Sequence, residues 1–217
     1  MDQTVKIFHL KEELNKDLEV EIGKIMDELN EFFGINWVEN VPKVIFVNSR
    51  KQINDIVGKE TEDWWVGWNE GRTVYLLDQD KFPTESKHKE IGDKEYRALI
   101  KHEFCHAFQT ASGYFWKPNW LREGLCHYVS GQIEFEKNPK LFKYFLNFYE
   151  KTGAEVHWES GWVVKLFVDK FGKEKLMELF KEAKNKKPDE EGFKKIFAEV
   201  YGIELNYKDL NKLVDSK

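Results

Sequence analysis

The sequence predicts an α+β protein with an upper lobe holding a small mixed β-sheet, a lower lobe made wholly of helices, and a cleft between them. Three observations carry that expectation. Runs rich in β-branched and aromatic residues are confined to the first half of the chain. Helical periodicity dominates the second half, and a histidine-bearing helix stands where one pattern gives way to the other. The expected division is 1–113, an N-terminal α+β lobe that includes this helix, and 114–217, a C-terminal helical lobe, the two forming one domain in total.

Taken in order, Thr4 to Leu10 reads as a short strand. From Glu12 to Phe33, Leu14, Leu18, Ile22, Ile25, Leu29 and Phe32 recur three and four residues apart, the spacing of an amphipathic helix that Gly34 would end. Lys43 to Asn48 is β-rich and predicts a central strand, and Ser49 to Gly58 a short polar helix. Asp63 to Trp68 and Arg72 to Asp78 flank a glycine turn and predict a hairpin. Polar residues and Pro83 make Gln79 to Asp93 a loop. Helices are then expected over Lys94 to Ala111, Trp120 to Phe135, Pro139 through Phe142, Phe145 and Tyr149, Ser160 to Phe171, Lys173 to Lys184, Glu191 to Tyr201 and Tyr207 to Val214.

Composition narrows the function classes. The chain has 217 residues, 41% of them hydrophobic, with 17 Phe, 8 Trp and 8 Tyr, which supports a packed core rather than disorder. A net charge of −5 leaves no basic field, so nucleic acid is not the expected partner. No apolar run is long enough to span a membrane, and Met1 to Lys6 lacks the start of a signal peptide. Two cysteines make no disulfide framework. A cytoplasmic protein without a membrane partner is the expectation.

The run His102-Glu103-Phe104-Cys105-His106 places two imidazoles one helical turn apart on one helix face. Two such nitrogens can fill two corners of a zinc tetrahedron, with room for a third ligand and a water. Glu103 is rotated by about 100° from His102 and so sits beside the ion rather than on it. That is where a base must lie to take a proton from the water. The alternative is a pair of core histidines, each of which would need hydrogen-bond partners of its own.

Together with Trp120-Leu121-Arg122-Glu123-Gly124-Leu125-Cys126-His127-Tyr128, this motif resembles the gluzincins, zinc metallopeptidases of the thermolysin-like superfamily. His157-Trp158-Glu159-Ser160-Gly161-Trp162, leading to Phe171-Gly172, is similar to a further block of small peptidase-like members. The resemblance covers the chain to about Gly172. It implies His102, His106 and Glu123 as ligands of one Zn2+ ion, Glu103 as general base, and a peptide or protein as substrate. The connection between the two motif helices is slightly shorter than in the best-known members. The resemblance also implies that the strand Thr73, Val74, Tyr75, Leu76 pairs with an extended substrate backbone. It further implies a Tyr or His after the glutamate helix that steadies the oxyanion, which His157 matches, with Tyr149 and Tyr128 as rivals.

Other residues keep open readings. Glu134 and Glu136 compete with Glu123 by type but lie further along the chain. His127, four residues after Glu123, would touch substrate, orient a ligand or compete as one, or else be a half-exposed helix histidine. In this position relatives can carry a carboxylate that steadies a zinc histidine; a histidine supplies no such charge. Cys105 and Cys126 are expected as small core thiols, with a disulfide as the lesser alternative. The Trp64, Trp65 and Trp68 cluster is expected to pack rather than to stack on a ligand. The absence of an amine-anchoring signature favours endo- or oligopeptidase action. A catalytically quiet zinc- or peptide-binding module of the same fold is the alternative function.

Overall fold

The computed structural model describes residues 16–114, 117–153 and 155–215. The expected strand Thr4 to Leu10 and the first residues of the helix after it lie outside them. The described residues form a mixed α+β structure: α1 (Lys16–Phe33), β1 (Lys43–Val47), α2 (Arg50–Val57), β2 (Gly67–Glu70), β3 (Thr73–Leu77), α3 (Phe82–Glu85), α4 (Asp93–Ala111), α5 (Asn119–Ser130), α6 (Glu155–Phe171), α7 (Lys173–Lys186), α8 (Glu190–Tyr201) and α9 (Tyr207–Asp215). None of the described helices is long and apolar enough to cross a membrane. The chain divides into two compact units, Met1–Tyr96 and Arg97–Lys217.

In the first unit the sheet is small and mixed, as expected, but its order is β1-β3-β2. Lys43–Val47 therefore flanks the sheet instead of lying at its centre. The reason is burial: Val74, Leu76 and Leu77 of β3 are wholly buried, whereas Val47 alone is buried in β1. β3 runs parallel to β1 and antiparallel to β2, with Thr73 to Leu76 in register with a partner on each side. Adding a substrate strand requires an unpaired edge. Thr73, Val74, Tyr75 and Leu76 have none, so the expected substrate role of this strand fails on its backbone pairing.

Two of the tryptophans make ring contacts within the hairpin, Trp65 meeting Trp68 edge to face at 6.3 Å. Trp68 and Tyr75 are cross-strand partners whose rings stack at 4.6 Å and 6°, the kind of pair that stabilises a two-stranded ribbon. The segment expected as a loop after Asp78 instead contains a 3-10 turn, Gln79–Lys81, and the short helix α3. Arg50 fastens it: the guanidinium donates to the carbonyls of Asp63, Trp65 and Glu85, and the Arg50 backbone N–H donates to the Glu85 carboxylate at 2.7 Å. Tyr96, near the start of α4, donates its hydroxyl to the Leu77 carbonyl at 2.9 Å.

The second unit is helical and is organised by the crossing of α5 and α6. Gly124 on α5 meets the backbone of α6 so closely that an added Cβ would lie 2.4 Å from the Ser160 carbonyl oxygen. At Gly161 on α6 a Cβ would lie 2.8 Å from the His127 Cβ. These two glycines let the helices approach, and so bring Glu123 and His127 against His157. We expect Gly124→Ala to destabilise the protein by about 3 kcal/mol, since backbone cannot yield as a side chain would. Chemical denaturation checks this, and a change of under about 0.5 kcal/mol would contradict the close crossing.

Three helix expectations differ from what is found. The helix expected to Phe135 stops at Ser130, where Gly131 takes φ 81 and the chain turns into a 3-10 segment, Gln132–Phe135. The helix expected from Pro139 to Tyr149 is reduced to the 3-10 turn Phe145–Asn147. Its backbone bonds go elsewhere. The buried Glu159 carboxylate accepts the N–H groups of Lys143, Tyr144 and Phe145 at 2.7–3.0 Å, and the Asn211 side chain accepts the N–H of Phe142. A charged acceptor for several N–H groups outweighs the single bond per residue of a helix. Finally, α6 begins at Glu155 rather than Ser160, which sets His157 within its first turn.

Candidate metal centre

All the residues of the centre belong to the second unit. His102 and His106 lie one turn apart on α4, and His102, Glu103 and His106 are 5%, 6% and 9% exposed. Phe104, Cys105, Ala107 and Phe108 are buried around them, so this stretch of α4 is enclosed on every side. The His102 and His106 Nε2 atoms are 3.1 Å apart. Glu123, in the second turn of α5, brings its Oε2 to 3.1 Å from His106 Nε2 and 3.5 Å from His102 Nε2. A tetrahedral ion with bonds of 2.0–2.1 Å separates its ligand atoms by about 3.3–3.4 Å. The three measured separations straddle that value.

The carboxylate is held so that one oxygen faces the rings. Its other oxygen, Oε1, takes the Arg122 guanidinium at 3.2 Å. His106 is oriented from behind: its Nδ1 lies 3.3 Å from the Gln109 Oε1, and the Gln109 amide donates to the Arg122 carbonyl at 2.9 Å. A histidine ligand oriented through its far nitrogen is the usual support of a metal site. Sequence reasoning passed over Gln109, although its place three residues after His106 puts it within reach on the same helix. For His102 the corresponding Nδ1 is buried with no hydrogen-bond partner.

Burial and charge pull these groups in opposite directions. Burial works to lower His106, yet the Glu123 carboxylate overrides it and raises the ring to about 9. Burial likewise works to raise Glu123, and His106 and His102 override it, holding the carboxyl well below its ordinary 4.5. Burial lowers His102 to about 4. Burial raises Glu103 to about 7.

Cys126 is a second claimant. His102, His106 and Cys126 form a buried group that could hold a metal ion, their donor atoms all within 4.8 Å of one another. The Cys126 sulfur, however, lies 3.3 Å from His106 Nδ1, the edge that Gln109 also faces. One imidazole cannot turn both nitrogens to one ion. An ion held by Cys126 and His106 Nδ1 would forgo the convergence of Nε2, Nε2 and Oε2. Cys105 and Cys126 are both free thiols and both buried.

The remaining histidines extend the centre. His127 is buried at 6% exposure, not half exposed as a plain helix histidine would be. Its Nε2 lies 2.9 Å from His157 Nδ1, and its Nδ1 lies 3.4 Å from Glu136 Oε1. His157 Nδ1 is in turn 3.9 Å from Glu123 Oε2. The His102 and His127 rings meet edge to face at 4.8 Å. Of the rivals, Tyr149 donates its hydroxyl to the Pro188 carbonyl at 2.9 Å, and Glu134 is exposed. Comparison with protein-family models gave no match, and comparison with curated proteins gave none either.

Proposed function

We propose that this chain is a zinc-dependent peptidase of the gluzincin kind, acting as an endo- or oligopeptidase on peptide or protein substrates. The observation that carries the proposal is the convergence of His102 Nε2 and His106 Nε2, from the helix that also bears Glu103, with Glu123 Oε2 from the next helix, within 3.5 Å of one another. The donor set of two imidazoles and one carboxylate is the set found in catalytic zinc sites that keep one position open. When bound there, zinc would act as a Lewis acid, lowering the pKa of water and polarising a carbonyl.

The protein's own groups then divide the work. Glu103 takes a proton from the attacking water as its oxygen bonds to the peptide carbonyl carbon. The same carboxyl returns the proton to the peptide nitrogen as the carbon–nitrogen bond breaks, leaving a carboxylate and an amine. Arg122 and Gln109 hold Glu123 and His106 in place throughout. His157, beside Glu123, is the side chain placed to steady the oxyanion.

One observation favours a second reading, a catalytically quiet zinc- or peptide-binding module. Cys126 stands in a buried group with His102 and His106, and an ion held there through a thiolate in place of Glu123 would have the mixed cysteine–histidine ligands common in structural sites. A mixed peptide library incubated with the zinc-loaded protein, with and without chelator, separates the two. We expect fragments that disappear with chelator. Bound metal without any fragments would support the quiet module.

A further inference from the structure

Outside the three proposed ligands and Glu103, the described residues of the second unit hold a further, partly buried cluster of ionisable side chains, and nothing in the reaction above uses all of it. Glu136, His127 and His157 form a line, with separations of 3.4 Å and 2.9 Å, that ends beside Glu123. The line exists because α5 stops at Gly131 and the 3-10 turn folds back, setting Glu136 alongside the helix it has just left. Two of its atoms are anomalous. His127 Nδ1 and Glu136 Oε2 are both buried without a hydrogen-bond partner. Each such group carries a desolvation cost of about 1–3 kcal/mol. The carboxylate's other oxygen, Oε1, stands 3.4 Å from Nδ1 and is the acceptor nearest that ring nitrogen.

That pairing has a consequence for protons. A carboxylate at Nδ1 makes His127 the Nδ1–H tautomer, so its Nε2 presents a lone pair. The atom 2.9 Å away, His157 Nδ1, must then carry the hydrogen. We propose that Glu136 acts through His127 as a positioning residue that fixes His157 as the Nδ1–H tautomer. The neutral His157 ring therefore carries its lone pair on Nε2, where it accepts a hydrogen bond or a proton. A neutral ring of this tautomer donates only from Nδ1, the nitrogen beside Glu123, so that edge and not Nε2 is the one that steadies an oxyanion. Burial also pushes the Glu136 carboxyl up to about 7, so a stable fold alone would favour a neutral residue at this place.

The catalytic meaning of the relay rests on the peptidase reading; the tautomer itself does not, and the test is built on the tautomer. Ring nitrogen NMR of the zinc-loaded protein labelled with 15N-histidine, at mildly alkaline pH and without substrate, reads which nitrogen of each histidine bears hydrogen. The expected wild-type result is Nδ1–H on both His127 and His157. In Glu136→Ala both rings move toward Nε2–H, with zinc content unchanged. In Glu136→Gln the side-chain carbonyl still accepts, and the wild-type tautomers return. A wild-type His157 with hydrogen on Nε2 and a bare Nδ1 overturns the proposal, as does a tautomer indifferent to Glu136→Ala. If Glu136→Ala does not fold, the wild-type spectrum decides alone. A protein that cuts no peptide yet shows the expected tautomers overturns the peptidase reading and leaves the relay standing.

Discussion

Glu103→Gln is expected to keep its zinc and lose peptide hydrolysis by about a hundred- to ten-thousandfold, the usual worth of a positioned general base. Gln matches Glu in shape, so the buried packing around position 103 is preserved. What it lacks is a carboxylate able to accept the proton of the attacking water and deliver it to the departing nitrogen. The loss should therefore fall on kcat, with KM little changed, because the missing interaction belongs to the transition state. Steady-state kinetics on a peptide that the wild-type protein cuts, with zinc content measured in parallel, reads both quantities. Retained activity in this variant would remove Glu103 from the reaction.

The second large effect is on the metal. Glu123→Ala should weaken zinc binding by more than about a hundredfold, beyond the 10–100-fold seen when only a supporting residue is lost. It also leaves Arg122 without the carboxylate oxygen it holds at 3.2 Å. Cys126→Ala should leave zinc affinity within about tenfold of wild type, since the sulfur faces the Nδ1 edge of His106 and not the edge where the lone pairs meet. Competition against a chromophoric chelator gives both values. The opposite ordering, with Cys126→Ala the more damaging, would transfer the third ligand from Glu123 to Cys126 and favour the quiet module.

Much of the centre was legible in the sequence because helical geometry is rigid. Two histidines four residues apart have little choice of relative placement, and His102 and His106 are found with their Nε2 atoms 3.1 Å apart. Glu123 could be expected only through the company it keeps in Trp-Leu-Arg-Glu-Gly. The structure gives that glycine a physical reason in the close crossing of α5 and α6. Where side chains from distant positions replace backbone bonds, periodicity misleads. The segment after Pro139 carries helical spacing, yet Glu159 and Asn211 take its N–H groups. Strand order was likewise illegible, because β-rich composition reports that a strand exists and not which strand lies between its neighbours. Glu136 was legible as a rival to Glu123 but not as a neighbour of His127, because that position depends on the chain reversing at Gly131, which a continuous helix reading of Trp120 to Phe135 erases.

X-ray absorption at the zinc edge of the metal-loaded protein tests the three-ligand assignment most directly, because nitrogen or oxygen ligands and sulfur ligands differ in bond length by a resolvable amount. The account predicts a single shell of nitrogen and oxygen at about 2.0–2.1 Å, with imidazole scattering from two rings and no sulfur. A sulfur shell at about 2.3 Å would place Cys126 on the ion and contradict it.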